Sequence, residues 1–312
     1  MGHTASSMLA ESWPAAPKYS VDDVPDLTGK VVIVTGSNTG VGKEIVKALL
    51  NRNAKVYMAS RNEDKAVHAI EDLRRLTGKE AVFLKLDLAD LKSVKAAAEE
   101  FQRKEKELHI LFNNGGVMFP PIDEVTADAY DLQMGTNVLG HFYFTWLLLP
   151  TLIATAQVSP DKHVRVISTA SVMHYLGGLD FNTFKDGPAR RKAGSFKLYC
   201  QSKYGDLVFA SELARRYGDQ GIVSMAVNPG NLSSDLQRHM SWLEYRIMAL
   251  GLYPTSYGAL THLWGGTSPE GVEFNGKYLR PWATVGSPSP DALDPVLGKQ
   301  LWEWMEEQVE HI

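Results

Sequence analysis

The sequence has little of several features that mark special classes of protein. It holds a single cysteine, Cys200, which excludes an intrachain disulfide and favours a reducing compartment. Lys plus Arg number 32 and Asp plus Glu 36, so the formal net charge is −4 and no broad basic surface for nucleic acid is expected. We predict no metal site. What is left is a chain of 312 residues with 44% hydrophobic and 22% charged residues, ordinary values for a globular protein with a full core.

Long uninterrupted apolar runs are also missing. The most apolar stretch, residues 141–156, is shorter than the roughly 20 residues that a membrane-spanning helix needs, and Pro150 interrupts it. We interpret this stretch as a helix with a buried face. The first residues lack a basic start followed by a long apolar run, so we expect no secretory leader and a cytoplasmic location.

From Lys30 onward, short β-branched runs alternate with longer helical patterns. The runs, most of them apolar throughout as in strands buried on both faces, are residues 31–35, 55–59, 81–86, 110–113, 164–169 and 222–227. The helical patterns between them include residues 41–52, 63–76, 91–106, 127–149 and 199–217. This alternation predicts βαβ units and an α/β fold: one doubly wound parallel sheet of Rossmann-type topology with helices on both faces.

The positions at which this alternation of strand and helix patterns begins and is interrupted indicate the domain organisation. We predict one domain over residues 29–312, preceded by an extension, residues 1–28, that lies on the surface or is disordered. Two segments, at about residues 172–197 and 230–253, interrupt the alternation at the carboxyl ends of predicted strands. Long insertions at that edge usually serve the site, so we expect both to lie on the substrate side.

A glycine-rich turn follows the first predicted strand and leads into a helical pattern. After Thr35 it contains Gly36, Ser37, Asn38, Thr39, Gly40, Val41 and Gly42. Glycines let the backbone turn tightly and approach a pyrophosphate, and a helix amino terminus then offers unpaired N–H groups and a positive dipole end. Because the turn lies between a strand and a helix, as this motif requires, we predict that it holds the phosphates of a dinucleotide.

The end of the second predicted strand bears on the choice of dinucleotide. An NAD-selective site normally places Asp or Glu there, to accept a hydrogen bond from the ribose 2′-hydroxyl, but this chain has Ser60 and Arg61. Both side chains can bind a 2′-phosphate, Arg61 through its planar guanidinium. We therefore predict NADP(H) as the cofactor; the alternative is that Arg61 is a solvated residue at a helix start.

The spacing of the turn, TGxxxGxG, resembles that of the short-chain dehydrogenase/reductase family in its compact, single-domain form. Asp87 and Leu88, after the third predicted strand, match the place where the family has the Asp that meets the adenine. Residues 113–116 read NNGG and are similar to the family's NNAG, with Gly115 in place of alanine. The resemblance implies that Asp87, Leu88, Asn114 and Gly115 contact the cofactor.

Residues 199–203 read YCQSK and match the family's YxxSK. Residues four apart lie on one face of a helix, and an ammonium near a phenol stabilises the phenolate. We therefore expect Lys203 to lower the pKa of Tyr199 from its reference of about 10 and make it a useful acid or base. The resemblance adds that Lys203 hydrogen-bonds the nicotinamide ribose.

Two more catalytic residues are predicted by this resemblance. Overlaying the fifth strand on the family's pattern places Ser171 where relatives have the serine that polarises the substrate carbonyl. Ser168 or Thr169 could take that role if the register slips. Asn137 matches the family's helix-four asparagine, whose main chain helps to hold a water beside the lysine.

The segment after the sixth strand resembles the family's PGxxxT, with serine in place of threonine. The resemblance implies that this segment binds the nicotinamide carboxamide through Pro229, Gly230, Leu232 and Ser234.

Local patterns such as SNTGVG and NVLGHF look like the branch of the family that contains retinol dehydrogenases and their fungal relatives. That branch often acts on lipophilic alcohols, aldehydes or ketones. We therefore expect an NADP(H)-dependent oxidoreductase that interconverts a carbonyl and its alcohol on a lipophilic or aromatic small molecule. Candidate pocket walls, each equally consistent with core packing, are Met118, Phe119, Met173, Tyr175, Phe184, Trp242 and Met248.

Other interpretations stay open at this point. A non-catalytic NADP-binding sensor or scaffold on the same fold is the main alternative, although such proteins usually lose the tyrosine or the lysine. A peripheral membrane enzyme, held by the amino-terminal segment or the tryptophan-bearing tail, is a third. A homodimer is a further possibility, since the family often pairs its fourth and fifth helices. The basic cluster at residues 190–192 is interpreted as a solvated loop, and His174 as a candidate substrate contact.

Overall fold

Eight strands form a single sheet in the part of the chain that the computed structural model describes, residues 2–233 and 252–312. They are β1 (Val31–Thr35), β2 (Lys55–Ser60), β3 (Val82–Lys85), β4 (Ile110–Asn113), β5 (Val164–Thr169), β6 (Ile222–Val227), β7 (Tyr278–Arg280) and β8 (Thr284–Gly286). Their order is β3-β2-β1-β4-β5-β6-β7-β8, and every neighbouring pair is parallel except β7 with β8. The predicted doubly wound parallel sheet is confirmed, with two further strands that the sequence did not indicate, parallel β7 and the antiparallel edge strand β8.

The α-helices lie on both faces of the sheet. They are α1 (Gly2–Ser12), α2 (Gly40–Asn51), α3 (Glu63–Thr77), α4 (Leu91–Lys104), α5 (Gly140–Val158), α6 (Pro188–Tyr217), α7 (Thr255–Thr267) and α8 (Pro295–Val309). Local sequence fixes several of their ends. Asn62 caps α3 by accepting from the Lys65 amide at 2.8 Å, and Gly78 ends it in the left-handed conformation at φ 70°.

Successive residues of the central strands face opposite sides of the sheet. In β1, Val31 and Ile33 pack in the core layer under α4, α5 and α6, whereas Val32 and Val34 pack under α2, α3 and α7. All of β1 is buried, as the unbroken apolar run predicts for a strand covered on both faces. This double burial fixes the register of the strands and so fixes which residues reach their carboxyl ends, where the site lies.

The apolar run around Pro150 forms a core helix that is longer than predicted. A π-helical turn, Met134–Leu139, leads into α5, which continues through Pro150 to Val158. Met134–Val158 is long and apolar enough to cross a membrane by length and composition, but 67% of its most apolar window is buried within the described chain. Because Pro150 lies on an exposed side of the helix, its missing hydrogen bond does not end the helix.

The predicted insertion at residues 172–197 is partly helical. α6 begins at Pro188 rather than at Tyr199, and its one break from helical geometry is at Gly194, with φ 77°. Arg190 is not in a solvated loop, because its guanidinium is 1% exposed and binds Asp186 at 2.9 Å and Asp131 at 3.3 Å. The buried ion pair between Arg190 and Asp131 ties the start of α6 to the segment before α5.

The amino-terminal extension is also more ordered than predicted. Its helix α1 places Glu11 against the sheet, where the side chain is buried. The carboxylate accepts hydrogen bonds from the Tyr278 hydroxyl at 2.5 Å and the Asn228 amide at 2.8 Å, and it lies 3.1 Å from the Tyr175 hydroxyl oxygen. Burial raises the pKa of Glu11 above its usual value. A polar anchor, rather than an apolar stripe, therefore attaches α1, which explains why hydrophobic periodicity did not reveal this helix; further along the extension, Val24 and Leu27 are buried in the core.

Replacing Glu11 by alanine tests this anchor. We expect Glu11→Ala to lower the free energy of unfolding in urea by about 2–3 kcal/mol, because two buried donors, the Tyr278 hydroxyl and the Asn228 amide, lose their acceptor. The control is Leu9→Ala on the same helix, where the side chain is 62% exposed and the change should stay within about 0.5 kcal/mol. Equal effects of the two substitutions would show that Glu11 does not anchor the helix.

Candidate active site

The glycine turn between β1 and α2 is packed tightly against the end of β4. Gly36 has φ 62°, and a Cβ on it would lie 2.5 Å from the Cα of Gly115. A Cβ on Gly42 would lie 2.7 Å from the side-chain amide nitrogen of Asn114. Only glycine fits at these two positions, so the turn leaves backbone N–H groups of α2 open to a ligand rather than covered by side chains.

Buried hydrogen bonds hold the turn in place. The Thr35 hydroxyl accepts from the amides of Asn114 at 2.9 Å and Gly115 at 2.8 Å, and it lies 2.8 Å from Nε2 of His141. His141 Nδ1 lies 2.8 Å from the carbonyl oxygen of Asn137. Burial lowers the pKa of His141 to about 3, so the ring is neutral, donates from Nδ1 and accepts from Thr35 at Nε2.

A cleft of about 840 Å³ runs from this turn to α6. The predicted site residues that line it are Gly36, Asn38, Thr39, Gly40, Val41, Gly42, Ser60, Arg61, Asp87, Leu88, Asn114, Gly115, Ser171, Tyr199, Lys203, Pro229, Gly230 and Leu232. Ser37 and Asn137 are not among its lining residues, and Ser234 lies outside the described residues. Ser37 is instead buried, and its hydroxyl donates to the Val34 carbonyl at 2.8 Å.

One end of the cleft is polar and carries positive charge. The Ser60 hydroxyl is buried and has no hydrogen-bond partner among the described residues. The Arg61 side chain is 69% exposed, with its Nε 4.0 Å from the Asp87 carboxylate. Lys65, one helical turn after Arg61, also lines the cleft, and the sequence argument missed it. An unpartnered hydroxyl and two cations are a donor set that fits a phosphate.

Tyr199 and Lys203 lie at the other end. The Lys203 ammonium donates to the Thr169 carbonyl at 2.7 Å and to the Asp206 carboxylate at 2.7 Å. A hydrogen bond joins the Tyr199 and Ser171 hydroxyls. Burial raises the pKa of Tyr199, and the opposing effects of Lys203 and the Ser171 hydrogen bond do not outweigh it. The expected lowering is therefore wrong for this structure, because sequence spacing gives the charge but not the desolvation.

The structure distinguishes the three candidates for the catalytic hydroxyl, two in β5 and one just after it. Ser171 lines the cleft, and its hydroxyl reaches Tyr199. Ser168 is buried away from the cleft. Thr169 lines the cleft, but its hydroxyl lies 2.9 Å from Nε2 of His262. The geometry therefore supports the gap-free register that selects Ser171.

Asn137 does not line the cleft, and its side chain forms hydrogen bonds to other parts of the protein instead. It lies in the π-helical turn, a feature often found at functional sites. Its side chain accepts from the Val117 amide at 2.9 Å and donates to the Val117 carbonyl and to the Ser202 hydroxyl, both at 3.0 Å. Asn137 thus joins the segment after β4 to the catalytic helix.

An apolar wall adjoins Tyr199. Of the seven predicted wall residues, Met118, Phe119 and Met173 line the cleft. Phe119 meets the Tyr199 ring edge-on at 5.1 Å and stacks on Phe196 at 5.8 Å. The apolar lining residues that the sequence argument missed include Phe196, Leu132, Val172 and Leu252.

The remaining predicted wall residues do not line the cleft or are not described. Phe184 is buried in the core against Trp304, and the Tyr175 hydroxyl donates to the Ser287 carbonyl at 2.6 Å. Trp242 and Met248 lie outside the described residues.

His174 is likewise not a substrate contact. Its side chain is fully buried, and Nδ1 lies 2.7 Å from the Ser171 carbonyl, where it helps to hold the Ser171 backbone.

Comparisons with known proteins agree with this geometry. The family described as short chain dehydrogenase matches residues 30–242. A short-chain dehydrogenase/reductase of Armillaria gallica is 57% identical over 304 residues, covering 97% of this chain and 98% of the relative. Retinol dehydrogenase 11 of Mus musculus is 38% identical over 282 residues, covering 89% and 85%. The crystal structure of an uncharacterized protein from Mycobacterium paratuberculosis superposes with a TM-score of 0.73 at 26% identity, covering 94% of this chain and 97% of that one.

Adding a methyl group to the turn tests whether it forms the phosphate site. We expect Gly42→Ala to weaken NADPH binding tenfold or more, because the new Cβ meets backbone and amide atoms at 2.7 Å. Binding is measured by the fluorescence of the reduced nicotinamide.

The matched control is Gly178→Ala, where an added Cβ has nothing within 4 Å. NADPH affinity should be unchanged in this control. Wild-type affinity in Gly42→Ala would show that the dinucleotide binds elsewhere.

Proposed function

The chain belongs to the short-chain dehydrogenase/reductase family of oxidoreductases, and we propose that it interconverts a carbonyl compound and its alcohol with NADP(H) as cofactor. One observation carries the proposal. Tyr199, Lys203 and Ser171 line the same cleft as the glycine turn, so a bound dinucleotide can reach from one set to the other.

The side chains at the inner end of the cleft are suited to proton transfer. When bound, the nicotinamide cofactor supplies the hydride that goes to the carbonyl carbon. The Ser171 hydroxyl donates a hydrogen bond to the carbonyl oxygen, and the Tyr199 hydroxyl gives that oxygen its proton. Because burial raises the pKa of Tyr199, the phenol stays protonated at neutral pH, which is the form that reduction needs. Alcohol oxidation uses the same groups in reverse.

The preference for NADP(H) is supported by the polar end of the cleft. Ser60 offers a buried hydroxyl without a protein partner, and Arg61 and Lys65 add two positive charges. The acid that would accept from a ribose 2′-hydroxyl is absent at the end of β2. Charge-assisted hydrogen bonds to a 2′-phosphate are the interactions that this set of residues favours.

The substrate is proposed to be lipophilic or aromatic. In the described part of the chain, the cleft is lined by Met118, Phe119, Phe196 and Met173, of which Phe119 packs on Tyr199 and Phe196 on Phe119; such apolar side chains favour a lipophilic or aromatic substrate. The similarity to retinol dehydrogenase 11, named for a lipophilic alcohol, points the same way. We also propose a cytoplasmic location, in keeping with the single buried cysteine.

The alternative, a cofactor-binding protein without catalysis, has less support. Such a protein has no need for a tyrosine, a lysine and a serine that converge on one cleft. NADPH binding without turnover of any carbonyl or alcohol would favour it.

Turnover is tested with a panel of lipophilic aldehydes, ketones and alcohols, followed by NADPH absorbance. On an active substrate we expect Tyr199→Phe to lower kcat by at least about a hundredfold, because the proton donor is lost, while NADPH affinity stays near wild type.

The matched control is Tyr204→Phe, which removes the hydroxyl of a largely buried tyrosine on the same helix that does not line the cleft. Tyr204→Phe should retain wild-type kcat. Undiminished turnover in Tyr199→Phe would remove Tyr199 from the mechanism.

Cofactor choice is tested by Arg61→Ala. We expect kcat/KM for NADPH to fall about tenfold or more while that for NADH changes little, because only NADPH carries the 2′-phosphate. The control is Arg74→Ala on α3, whose partner is Glu80 at 3.5 Å and which is not in the cleft. A wild-type preference for NADH would contradict the proposal.

A further inference from the structure

Asp206 extends the face of α6 that carries the catalytic pair. Tyr199, Lys203 and Asp206 are spaced i, i+4 and i+7, which places them on one side of the helix. The Asp206 carboxyl is 2% exposed and lies 2.7 Å from the Lys203 ammonium, which also donates to the Thr169 carbonyl at 2.7 Å. Two of the three N–H donors of a lysine are therefore engaged inside the protein, and one is left for the cleft that Lys203 lines.

The charge of Asp206 opposes the effect of Lys203 on the phenol. An ammonium stabilises a nearby phenolate, and a carboxylate bonded to that ammonium cancels part of its field. For Tyr199, Lys203 favours the phenolate and Asp206 disfavours it. Because the site is buried, water does not screen these charges, and the opposing effect of Asp206 on the pKa of Tyr199 is strong.

The other titratable groups packed around the pair do not supply the same charge. His141, at the start of α5, and His262, on α7, are buried, and their pKa values are lowered to about 3 and about 4. Both rings are therefore neutral at physiological pH. Burial also raises the pKa of Cys200, next to Tyr199, to about 11, so its thiol is neutral. Among these neighbours, the carboxylate of Asp206 is the group that can offset the ammonium.

We propose that Asp206 is a positioning residue that sets the pH range in which Tyr199 transfers protons, by holding the Lys203 ammonium against the Thr169 carbonyl and balancing its charge. This inference deepens the proposed function and rests on it for the catalytic role of Tyr199. Asp206 itself does not line the cleft and touches neither substrate nor cofactor.

The direction of the effect follows from the charges. Burial raises the pKa of Asp206 to about 7, although Lys203 partly offsets this, so the carboxylate is ionised above that pH. As long as the carboxylate is ionised it keeps the phenol protonated, which suits reduction. Removing the charge leaves the ammonium uncompensated, so the pKa of Tyr199 must fall and alcohol oxidation, which uses the phenolate, must become effective at lower pH.

The test is Asp206→Asn, which keeps the shape and can still accept from Lys203 but carries no charge. The pH profile of kcat for alcohol oxidation is measured with NADP⁺ and an alcohol from the substrate panel. We expect the midpoint of its acid limb to move down by about one pH unit, which is about a tenfold gain in kcat between about pH 7, above which wild-type Asp206 is ionised, and the wild-type midpoint.

The matched control is Glu212→Gln on the same helix, which removes a buried carboxylate that pairs with Arg216 at 2.7 Å and lies outside the cleft. Its acid limb should coincide with that of the wild type. If Asp206→Asn does not fold, Asp206→Ser, whose hydroxyl also carries no charge, is measured in the same way.

A second readout does not depend on turnover. Ultraviolet difference titration of each protein against its Tyr199→Phe counterpart reports the ionisation of Tyr199 directly, and we expect Asp206→Asn to lower its midpoint. An unmoved or raised midpoint would overturn the role of Asp206 and leave the proposed function standing. Absence of turnover in the wild type would overturn the function, while the titration would still decide the role of Asp206.

Discussion

The close packing of the glycine turn on the end of β4 is the contact on which the rest of the site depends. Gly36 and Gly115 approach so closely that no side chain fits between them, and this fixes the amino terminus of α2 at the carboxyl edge of the sheet. From there a series of buried hydrogen bonds crosses the molecule. Thr35 bonds His141, His141 bonds the Asn137 carbonyl, and the Asn137 side chain bonds Ser202 on α6. The two ends of the cleft are thus held to one another by the protein itself.

Burial of the side chains at the inner end of the cleft determines the acid–base chemistry of the site. Tyr199, Lys203 and Asp206 are all buried, and the histidines beside them are neutral. Desolvation raises the pKa of Tyr199 and keeps the phenol protonated, while the adjacent ammonium and the Ser171 hydroxyl lower that pKa and so limit the rise. The balance between these effects, rather than any single charge, decides at which pH a proton can leave or return.

The sequence predicts the parts of this site that are specified locally. A strand, a glycine turn and a helix follow one another in the chain, so the phosphate site could be recognised from residues 31–52 alone. The pair Tyr199 and Lys203 is likewise contained within one helical turn. Six of the parallel strands could be located in the sequence because their apolar runs are continuous.

The parts that escaped prediction depend on contacts between distant segments. Arg190 reads as part of a basic loop until Asp131, 59 residues away in the chain, is seen to pair with it. Glu11 carries no pattern of its own, and its partner Tyr278 lies at the other end of the sequence. The net shift in the pKa of Tyr199 was predicted in the wrong direction, because the burial of its side chain is set by Phe119 and other residues outside the motif.

A crystal structure of the chain with NADP⁺ tests the central claim most directly. We expect the pyrophosphate at the amino terminus of α2, the 2′-phosphate beside Arg61, and the nicotinamide ring beside Tyr199 and Lys203. A dinucleotide bound outside this cleft, or with its nicotinamide turned away from Tyr199, would contradict the account.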